Sequence, residues 1–274
     1  MRAVEATCAA ERSQPNAHPQ YHRIPGSPAR EYFVLVPSSA RKGSIPLVLV
    51  HGISRNAIEL ILRFTEGAAD FGVPLIAPLF RQDVYGAYQQ VVDRRRQLRA
   101  DDALFDILAQ VAARWPISGD KVDLFGFSGG AQFAHRFALL HPERVRTCVP
   151  VSAGWYSWPD EAIDWPLGLR DAPEPINQEA VARLALHIIV GQRDTRADES
   201  LRRRPDLDLL QGKDRVKRAR RWYKAMRESG LNADCSLTIL PRTRHNFDVA
   251  QRRGLVALTY SLLGFKSNHL GETL

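Results

Sequence analysis

Ser128 lies in a Gly-x-Ser-x-Gly pattern between Gly126 and Gly130, directly after the short apolar run 122–125. In such a turn the chain passes sharply from a strand into a helix, so the serine takes a strained backbone conformation with its hydroxyl exposed above the sheet. Glycine is required two positions on either side because a Cβ there would collide between strand and helix. The pattern predicts a nucleophile elbow, with the amides and the positive end of the following helix aimed at a developing oxyanion.

A serine nucleophile needs a base, and the base needs an acid that orients it. Asp194 follows the strand-like run 186–190, and His245 follows the strand-like run 236–240. Open parallel sheets collect their ligands at the carboxyl ends of the strands, so these two side chains and Ser128 are expected on one edge. Their chain order, Ser then Asp then His, is typical of a sheet that carries this elbow.

The elements that must position these residues alternate along the chain. Strands are predicted at 31–37, 45–50, 73–79, 122–125, 145–152, 185–190 and 236–240, and helices at 56–69, 101–115, 129–140, 213–229 and 247–263. The run 45–50 is continuously apolar, as expected for a strand buried on both faces. This alternation predicts an α/β fold, a mostly parallel sheet with helices on both faces. Residues 1–29 are predicted to form an N-terminal arm or a loose first hairpin. Residues 30–274 are predicted to form one domain, with a short cap at about 155–182.

Four short motifs carry a resemblance to a known superfamily. In chain order they are the His51-Gly52 turn, Gly126-Phe127-Ser128-Gly129-Gly130, Gly191-Gln192-Arg193-Asp194 and Arg244-His245-Asn246-Phe247. Over about residues 31 to 265 the chain resembles the α/β-hydrolase superfamily. It is more loosely similar to the esterase branch with polyhydroxyalkanoate depolymerases, feruloyl esterases and dienelactone hydrolases. The resemblance implies that Ser128 attacks an acyl carbon and forms an acyl-enzyme.

Each supporting role has alternative candidates. For the acid, Asp198 is the local alternative to Asp194. Some members of the superfamily carry the acid one strand earlier, which would point near Asp160 or Asp164. For the base, four other histidines are weaker than His245, because they lie in the expected oxyanion loop, on or just after the elbow helix, or inside a strand: His51, His135, His141 and His187.

Two backbone amides are predicted to form the oxyanion hole. The amide of Gly129 follows the nucleophile at the helix N-terminus and is the natural first donor. The second donor is expected in the loop after the His51-Gly52 turn, at Ile53, with Ser54 as the next choice. The chain lacks a Gly-Gly-Gly run there, which argues against long-chain lipid substrates.

Aromatic and basic residues near the expected site edge are candidates for substrate binding. The aromatic candidates are Trp155, Tyr156, Trp158 and Trp165 in the cap, and Tyr85 and Tyr88 in the loop after an earlier strand. The cap residues either form a wall over the substrate or pack the cap onto the body. Arg55 and Arg244 are candidates for meeting a carboxylate, although surface arginines are commoner.

Composition narrows the other possibilities. Lys and Arg number 38 against 30 acidic residues, but the Arg clusters lie beside acidic residues, which favours solvated faces over a nucleic-acid site. Cys8, Cys148 and Cys235 are only three, are widely spaced and include no Cys-x-x-Cys, so neither a disulfide framework nor a zinc site is indicated. No run approaches 18 apolar residues, so a cytoplasmic protein with no membrane partner is expected. Neither a metal nor an organic cofactor is expected, and the oligomeric state is left open.

The expected function is therefore that of a serine hydrolase acting on a small or medium carboxylic ester. The same three residues also suit a thioester, an amide, a peptide or acyl transfer, because they set the reaction class and not the leaving group. A non-catalytic binding or scaffold module on the same fold is the alternative of a different class.

Overall fold

The computed structural model describes residues 14–196 and 198–266. Their strands are β1 (Gln20–Ile24), β2 (Arg30–Leu35), β3 (Leu47–Val50), β4 (Leu75–Pro78), β5 (Val92–Asp93), β6 (Leu98–Arg99), β7 (Val122–Phe127), β8 (Val145–Val151), β9 (Ala185–Gly191) and β10 (Ser236–Leu240). Eight of them form one sheet in the order β1-β2-β4-β3-β7-β8-β9-β10, and β5 and β6 form a separate small hairpin.

The sheet is antiparallel at one end and parallel through the rest. β1 pairs antiparallel with β2, and β2 with β4, whereas every neighbouring pair from β4 to β10 is parallel. All residues of β3 and β4 are buried, because helices cover both faces of the sheet there. These observations confirm the predicted α/β fold class.

The helices are α1 (Ala57–Leu62), α2 (Thr65–Phe71), α3 (Ala100–Arg114), α4 (Gly129–Leu140), α5 (Gln178–Ala182), α6 (Pro205–Gln211), α7 (Arg215–Glu228), α8 (Phe247–Arg252) and α9 (Leu255–Leu262). Two predicted helices are each divided in the structure. The helix expected at 56–69 turns at Phe64, whose buried ring packs on Phe125 at 5.0 Å between ring centroids. The helix expected at 247–263 is interrupted by Gly254 in the left-handed conformation, with φ of 83°.

Two apolar clusters cover the faces of the sheet. Val48, Leu124 and Cys148 belong to one cluster, and Leu49 and Phe125 belong to the other. Neighbouring residues of a strand point to opposite faces, so the division follows from the sequence register. Every residue of α4 is buried, which places the elbow helix at the centre of the molecule.

The order of the strands creates a switch point beside β7. From β3 the chain moves to β4 on one side, and β7 then pairs with β3 on the other side. Ligand sites in such sheets form at the carboxyl edge of a switch point. Ser128 follows β7 at this position, and Asp194 and His245 follow β9 and β10 on the same edge.

Part of the predicted arm belongs to the sheet. Gln20–Ile24 forms β1, and the buried Asn16 accepts a hydrogen bond from the amide of Val36 at 2.7 Å and donates to the carbonyl of Val34 at 3.1 Å. Residues 1–13, with Cys8, lie outside the described residues. The division of the chain at residue 29 stays a prediction, as does the cap at 155–182, where the described chain has one short helix, α5. Among the described helices, none has both the length and the apolar character needed to cross a bilayer.

Candidate active site

The turn at Ser128 has the strained geometry of a nucleophile elbow. Ser128 has φ of 56° and ψ of −110°, a combination that L residues rarely adopt, and its amide donates to the carbonyl of Val151 at 2.9 Å. A Cβ on Gly126 would overlap the backbone of Gly130, and a Cβ on Gly130 would overlap the carbonyl of Val50. The two glycines are therefore required by strand-to-helix contact.

The structure brings the three predicted triad residues together. Ser128 Oγ lies 3.0 Å from His245 Nε2, and His245 Nδ1 lies 2.8 Å from Asp194 Oδ2. A carboxylate only accepts, so Nδ1 carries the ring hydrogen and Nε2 is free to accept from the serine hydroxyl. Asp194 is 1% exposed, and the His245 ring stacks on Phe127 with 5.2 Å between centroids. These contacts hold the imidazole in one orientation.

The alternative acids have other partners. Asp198 accepts from both terminal nitrogens of Arg215 at 3.2 Å, and Asp164 pairs with Arg170 at 2.6 Å. Asp160 caps its own turn by accepting from the amide of Ala162. Of the four acids considered, Asp194 is the one hydrogen-bonded to His245.

Three of the other histidines serve structural contacts. His135 donates to the carbonyl of Ala131 and accepts from the amide of Ser157 at 3.0 Å, and complete burial lowers its pKa well below the ordinary value. His141 Nε2 lies 2.9 Å from Asp101, and His187 Nδ1 lies 2.8 Å from Ser236 Oγ. None of these rings contacts Ser128.

His51 supports the loop expected to complete the oxyanion hole. Its Nε2 accepts from the amide of Phe80 at 3.0 Å, and its Nδ1 donates to the carbonyl of Gly52 at 2.8 Å. Burial lowers the pKa of His51 to about 4, so the ring is neutral at pH 7. The Tyr88 hydroxyl donates to the His51 carbonyl at 2.7 Å, a second contact that holds the loop after His51 in place.

The predicted oxyanion donors, Gly129 and Ile53, lie next to each other. A Cβ built on Gly129 would lie 3.2 Å from the Ile53 nitrogen and 2.8 Å from Tyr88 Oη. In residues 14–196 and 198–266, neither the Gly129 nor the Ile53 amide donates a hydrogen bond to the protein. Two unpaired amides beside a serine hydroxyl are the donor set that an oxyanion needs.

A cleft of about 350 Å³ opens over Ser128 and His245. Its apolar wall combines Ile53, Leu60, Phe127 and Phe247, and its polar rim includes Asn56, Glu59, Arg63, Ser200 and Asp248. Sequence reasoning missed Phe127, Phe247 and the α1 residues as cleft residues. Phe127 and Phe247 were recognisable as neighbours of Ser128 and His245 in the chain. The α1 residues were not, because the side of α1 that faces the cleft depends on how the helix packs: Ile58 and Leu62 are exposed and Leu60 is buried.

The predicted aromatic wall is not part of this cleft. Trp155 and Tyr156 are buried, with 6% and 0% exposure, and Tyr156 stacks on Trp222 at 4.4 Å between centroids. Gln211 pairs with both backbone groups of Tyr156, and the Trp155 ring lies 4.0 Å from the guanidinium of Arg136. These contacts correct the substrate-binding assignment of Trp155 and Tyr156, because segment 154–158 is packed onto the body by its own ring contacts and hydrogen bonds.

The other substrate-binding candidates also lie outside the cleft. Trp158 is half-buried against the main apolar cluster, and Tyr85 is 5% exposed and packs edge-on against Phe80. Trp165 is likewise buried. Tyr88 is also buried, and its hydroxyl donates to the carbonyl of His51, as described above. Arg55 turns inward, where its guanidinium lies over Tyr88 and donates to the carbonyls of Phe80 and Tyr85. Arg244 is exposed next to His245.

The described residues provide no grouping of three His, Cys, Asp or Glu side chains that would suit a metal ion. Cys148 and Cys235 are buried free thiols, and burial raises the pKa of Cys235 to about 11.

Solved structures share the fold of this chain. A poly(aspartic acid) hydrolase-1 from Sphingomonas sp. KT-1 matches with a TM-score of 0.76 and 24% identity, covering 90% of this chain and 100% of that one. A poly(3-hydroxybutyrate) depolymerase from Bordetella parapertussis matches with a TM-score of 0.72 and 22% identity, covering 93% of both chains. An S-formylglutathione hydrolase from Agrobacterium tumefaciens matches with a TM-score of 0.57 and 16% identity, covering 90% and 95%. No family model and no curated protein matches the chain. The chain has the α/β-hydrolase fold.

Proposed function

We propose that this protein is a serine hydrolase that cleaves small or medium carboxylic esters through an acyl-enzyme on Ser128. The observation that carries the proposal is the unbroken series of contacts from Ser128 Oγ to His245 Nε2 at 3.0 Å and from His245 Nδ1 to Asp194 Oδ2 at 2.8 Å. The structural neighbours include hydrolases and an esterase, which agrees with the proposal.

In the acylation step, Ser128 Oγ attacks the carbonyl carbon of the ester while its proton passes to His245 Nε2. The carbonyl oxygen becomes an oxyanion, which accepts from the amides of Gly129 and Ile53. The carbonyl reforms as the bond to the leaving alkoxide breaks, and His245 returns the proton to that oxygen. Asp194 stabilises the imidazolium through Nδ1 during these events.

Deacylation repeats the sequence with water. His245 takes a proton from a water molecule, the hydroxide attacks the acyl carbon, and the same amides receive the second oxyanion. The bond to Ser128 breaks, Oγ regains the proton from His245, and the carboxylic acid leaves.

The cleft supports substrates of limited size. A volume of about 350 Å³ lies near the lower end of ordinary small-molecule sites, and the walls at Leu60, Phe127 and Phe247 suit an apolar acyl or alcohol group. Thioester, amide and peptide bonds remain second candidates, because two neighbours are an S-formylglutathione hydrolase and a poly(aspartic acid) hydrolase.

The test is labelling with a fluorophosphonate probe together with hydrolysis of p-nitrophenyl esters of increasing acyl length. Wild type should be labelled at Ser128, as located by peptide mass spectrometry, and should turn over the shorter esters. Ser128→Ala should lose both the adduct and the turnover.

Ser54→Ala is the matched control, since Ser54 lines the same cleft but its hydroxyl has no assigned role. This variant should still be labelled at Ser128. A folded wild-type protein that neither reacts with the probe nor hydrolyses ester, thioester or anilide substrates would overturn the proposal in favour of a non-catalytic module.

A further inference from the structure

Arg215 is a buried cation beside the triad acid. It is 0% exposed, and its Nη1 lies 3.4 Å from Asp194 Oδ1 and 3.2 Å from Asp198 Oδ2. Its Nη2 lies 3.2 Å from Asp198 Oδ1 and 2.6 Å from Ser200 Oγ. The guanidinium of Arg215 thus contacts two groups. One is the carboxylate of Asp194, which orients His245, and the other is the hydroxyl of Ser200, which lies on the rim of the cleft.

The position of Arg215 is unfavourable for an arginine that only stabilises a helix. It is the first residue of α7, where the helix dipole repels a cation, and its complete burial removes the charge from water. Asp198 and Asp194 compensate for these costs. Burial opposes ionisation of Asp198, but hydrogen bonds from Arg215 and Ser200 outweigh it and lower the pKa of Asp198 to about 2.

We propose that Arg215 is a positioning residue of the site. It holds the carboxylate of Asp194 in place, and its positive charge offsets part of the negative charge of Asp194 and Asp198 beside His245. The proposal rests on the proposed function for its catalytic meaning. With Arg215, Asp194 and Asp198 charged, the cluster carries one net negative charge, and protonation of His245 brings it to neutrality. Without Arg215 the cluster would carry two negative charges, and protonation of His245 would become more favourable.

Other charged and titratable groups lie near Asp194 and His245. In the cleft over His245, Arg63 pairs with Glu59 at 3.1 Å and with Asp248 at 2.6 Å, so these charges largely offset one another. Tyr156 approaches from the segment after β8, and burial together with the Asp194 charge raises its pKa well above the ordinary value, so it stays neutral. Arg244 and Asp248, close to His245 in sequence, are exposed and opposite in sign. The charge balance therefore depends mainly on Arg215 and Asp198.

The experiment compares Arg215→Met with wild type by two measurements. One is the pH profile of kcat/KM for a p-nitrophenyl ester, and the other is NMR titration of the His245 imidazole, assigned with a His245→Gln variant. Arg215→Met should move two midpoints to higher pH by about one unit: that of the low-pH side of the kcat/KM profile, called the acid limb, and that of the His245 NMR titration. Arg215→Lys, which keeps the charge, should return both measurements most of the way to the wild-type values.

Arg218→Met is the matched control. Arg218 is also fully buried on α7, but its carboxylate partner is Asp208, and it does not contact the triad. Its removal should destabilise the fold without moving the acid limb. A folded Arg215→Met protein whose profile and His245 titration equal those of wild type would overturn the proposal.

A second variant, with an expected shift in the opposite direction, covers the case in which Arg215→Met does not fold. Asp198→Asn removes a negative charge from the half-exposed side of the cluster and should move the His245 titration to lower pH. An unchanged titration in this variant would also overturn the proposal. The two hypotheses remain distinguishable: a shifted titration without ester turnover would refute only the proposed function, and turnover with unshifted titrations would refute only the role of Arg215.

Discussion

At the residue scale, the site depends on the direction in which each polar group points. Asp194 is buried and hydrogen-bonded to His245, so its carboxylate selects the tautomer in which Nε2 faces Ser128. Asp160 and Asp164 have similar chemistry, but they satisfy surface turns and surface ion pairs. Position relative to one imidazole nitrogen therefore separates the proposed acid from the other candidates.

Asp194→Asn should lower kcat/KM for an activated ester by roughly 10³-fold to 10⁴-fold, because an amide favours the wrong tautomer of His245. The measurement is steady-state kinetics at pH 7 to 8, with circular dichroism to check folding. Asp164→Asn is the control and should keep wild-type activity. If Asp164→Asn were the inactive variant, the acid would have to be reassigned to the segment after β8.

The proposed oxyanion hole can be tested at Gly129. An added Cβ would lie 2.9 Å from Ile53 Cγ2, so Gly129→Ala should push the Ile53 loop away and lower kcat by roughly 100-fold, with a smaller change in KM. Gly86→Ala, whose Cβ would meet its neighbours at ordinary contact distances of 3.4 Å or more, should behave as wild type. Unchanged kcat in Gly129→Ala would count against these two amides as the donors.

At the element scale, the elbow is a contact between β3, β7 and α4. Gly130 lets α4 start directly against the carbonyl of Val50, and Gly126 lets β7 pass the backbone of Gly130. The positive φ of Ser128 is maintained by these contacts and by the hydrogen bond from its amide to β8. Four elements, β3, β7, α4 and β8, thus maintain the strained backbone of Ser128.

Gly130→Ala should lower the free energy of unfolding by at least about 3 kcal/mol or prevent folding, because its Cβ would overlap backbone that cannot move independently. Gly254→Ala is the comparison. It has open space but a φ of 83°, so the expected loss is about 1 kcal/mol. Urea unfolding measures both, and equal small losses would show that the elbow tolerates a Cβ.

At the scale of the whole molecule, burial of neutral histidines couples folding to pH. The pKa of His51 falls from its ordinary value of 6.5 to about 4 through burial, and burial also lowers the pKa of His135. Between about pH 4 and 6.5, the unfolded chain therefore binds more protons than the folded protein does. The contribution of these two histidines to stability is therefore complete above about pH 6.5 and declines as the pH falls towards 4.

The pKa shift of His51 corresponds to about 3 kcal/mol of stability lost between pH 6.5 and 4. His51→Gln should reduce the pH dependence of the unfolding free energy in this range by a comparable amount, as measured by urea unfolding at several pH values. His18→Gln removes an exposed histidine and should leave the slope as in wild type. An unaltered slope in His51→Gln would show that His51 is accessible to protons in the folded state.

Much of the fold and the three triad positions follow from local sequence patterns. Apolar runs mark the strands, glycines mark the elbow, and parallel strands necessarily end at one edge, so Ser128, Asp194 and His245 could be placed together without coordinates. The side chains of other elements that contact these three residues depend on how the helices rotate and pack. Periodicity did not show that Phe64 divides a helix, that Trp155 and Tyr156 face inward, or that Arg215 reaches Asp194 across 21 residues of chain. These contacts are long-range, and their formation depends on the complete packing of the sheet and its helices.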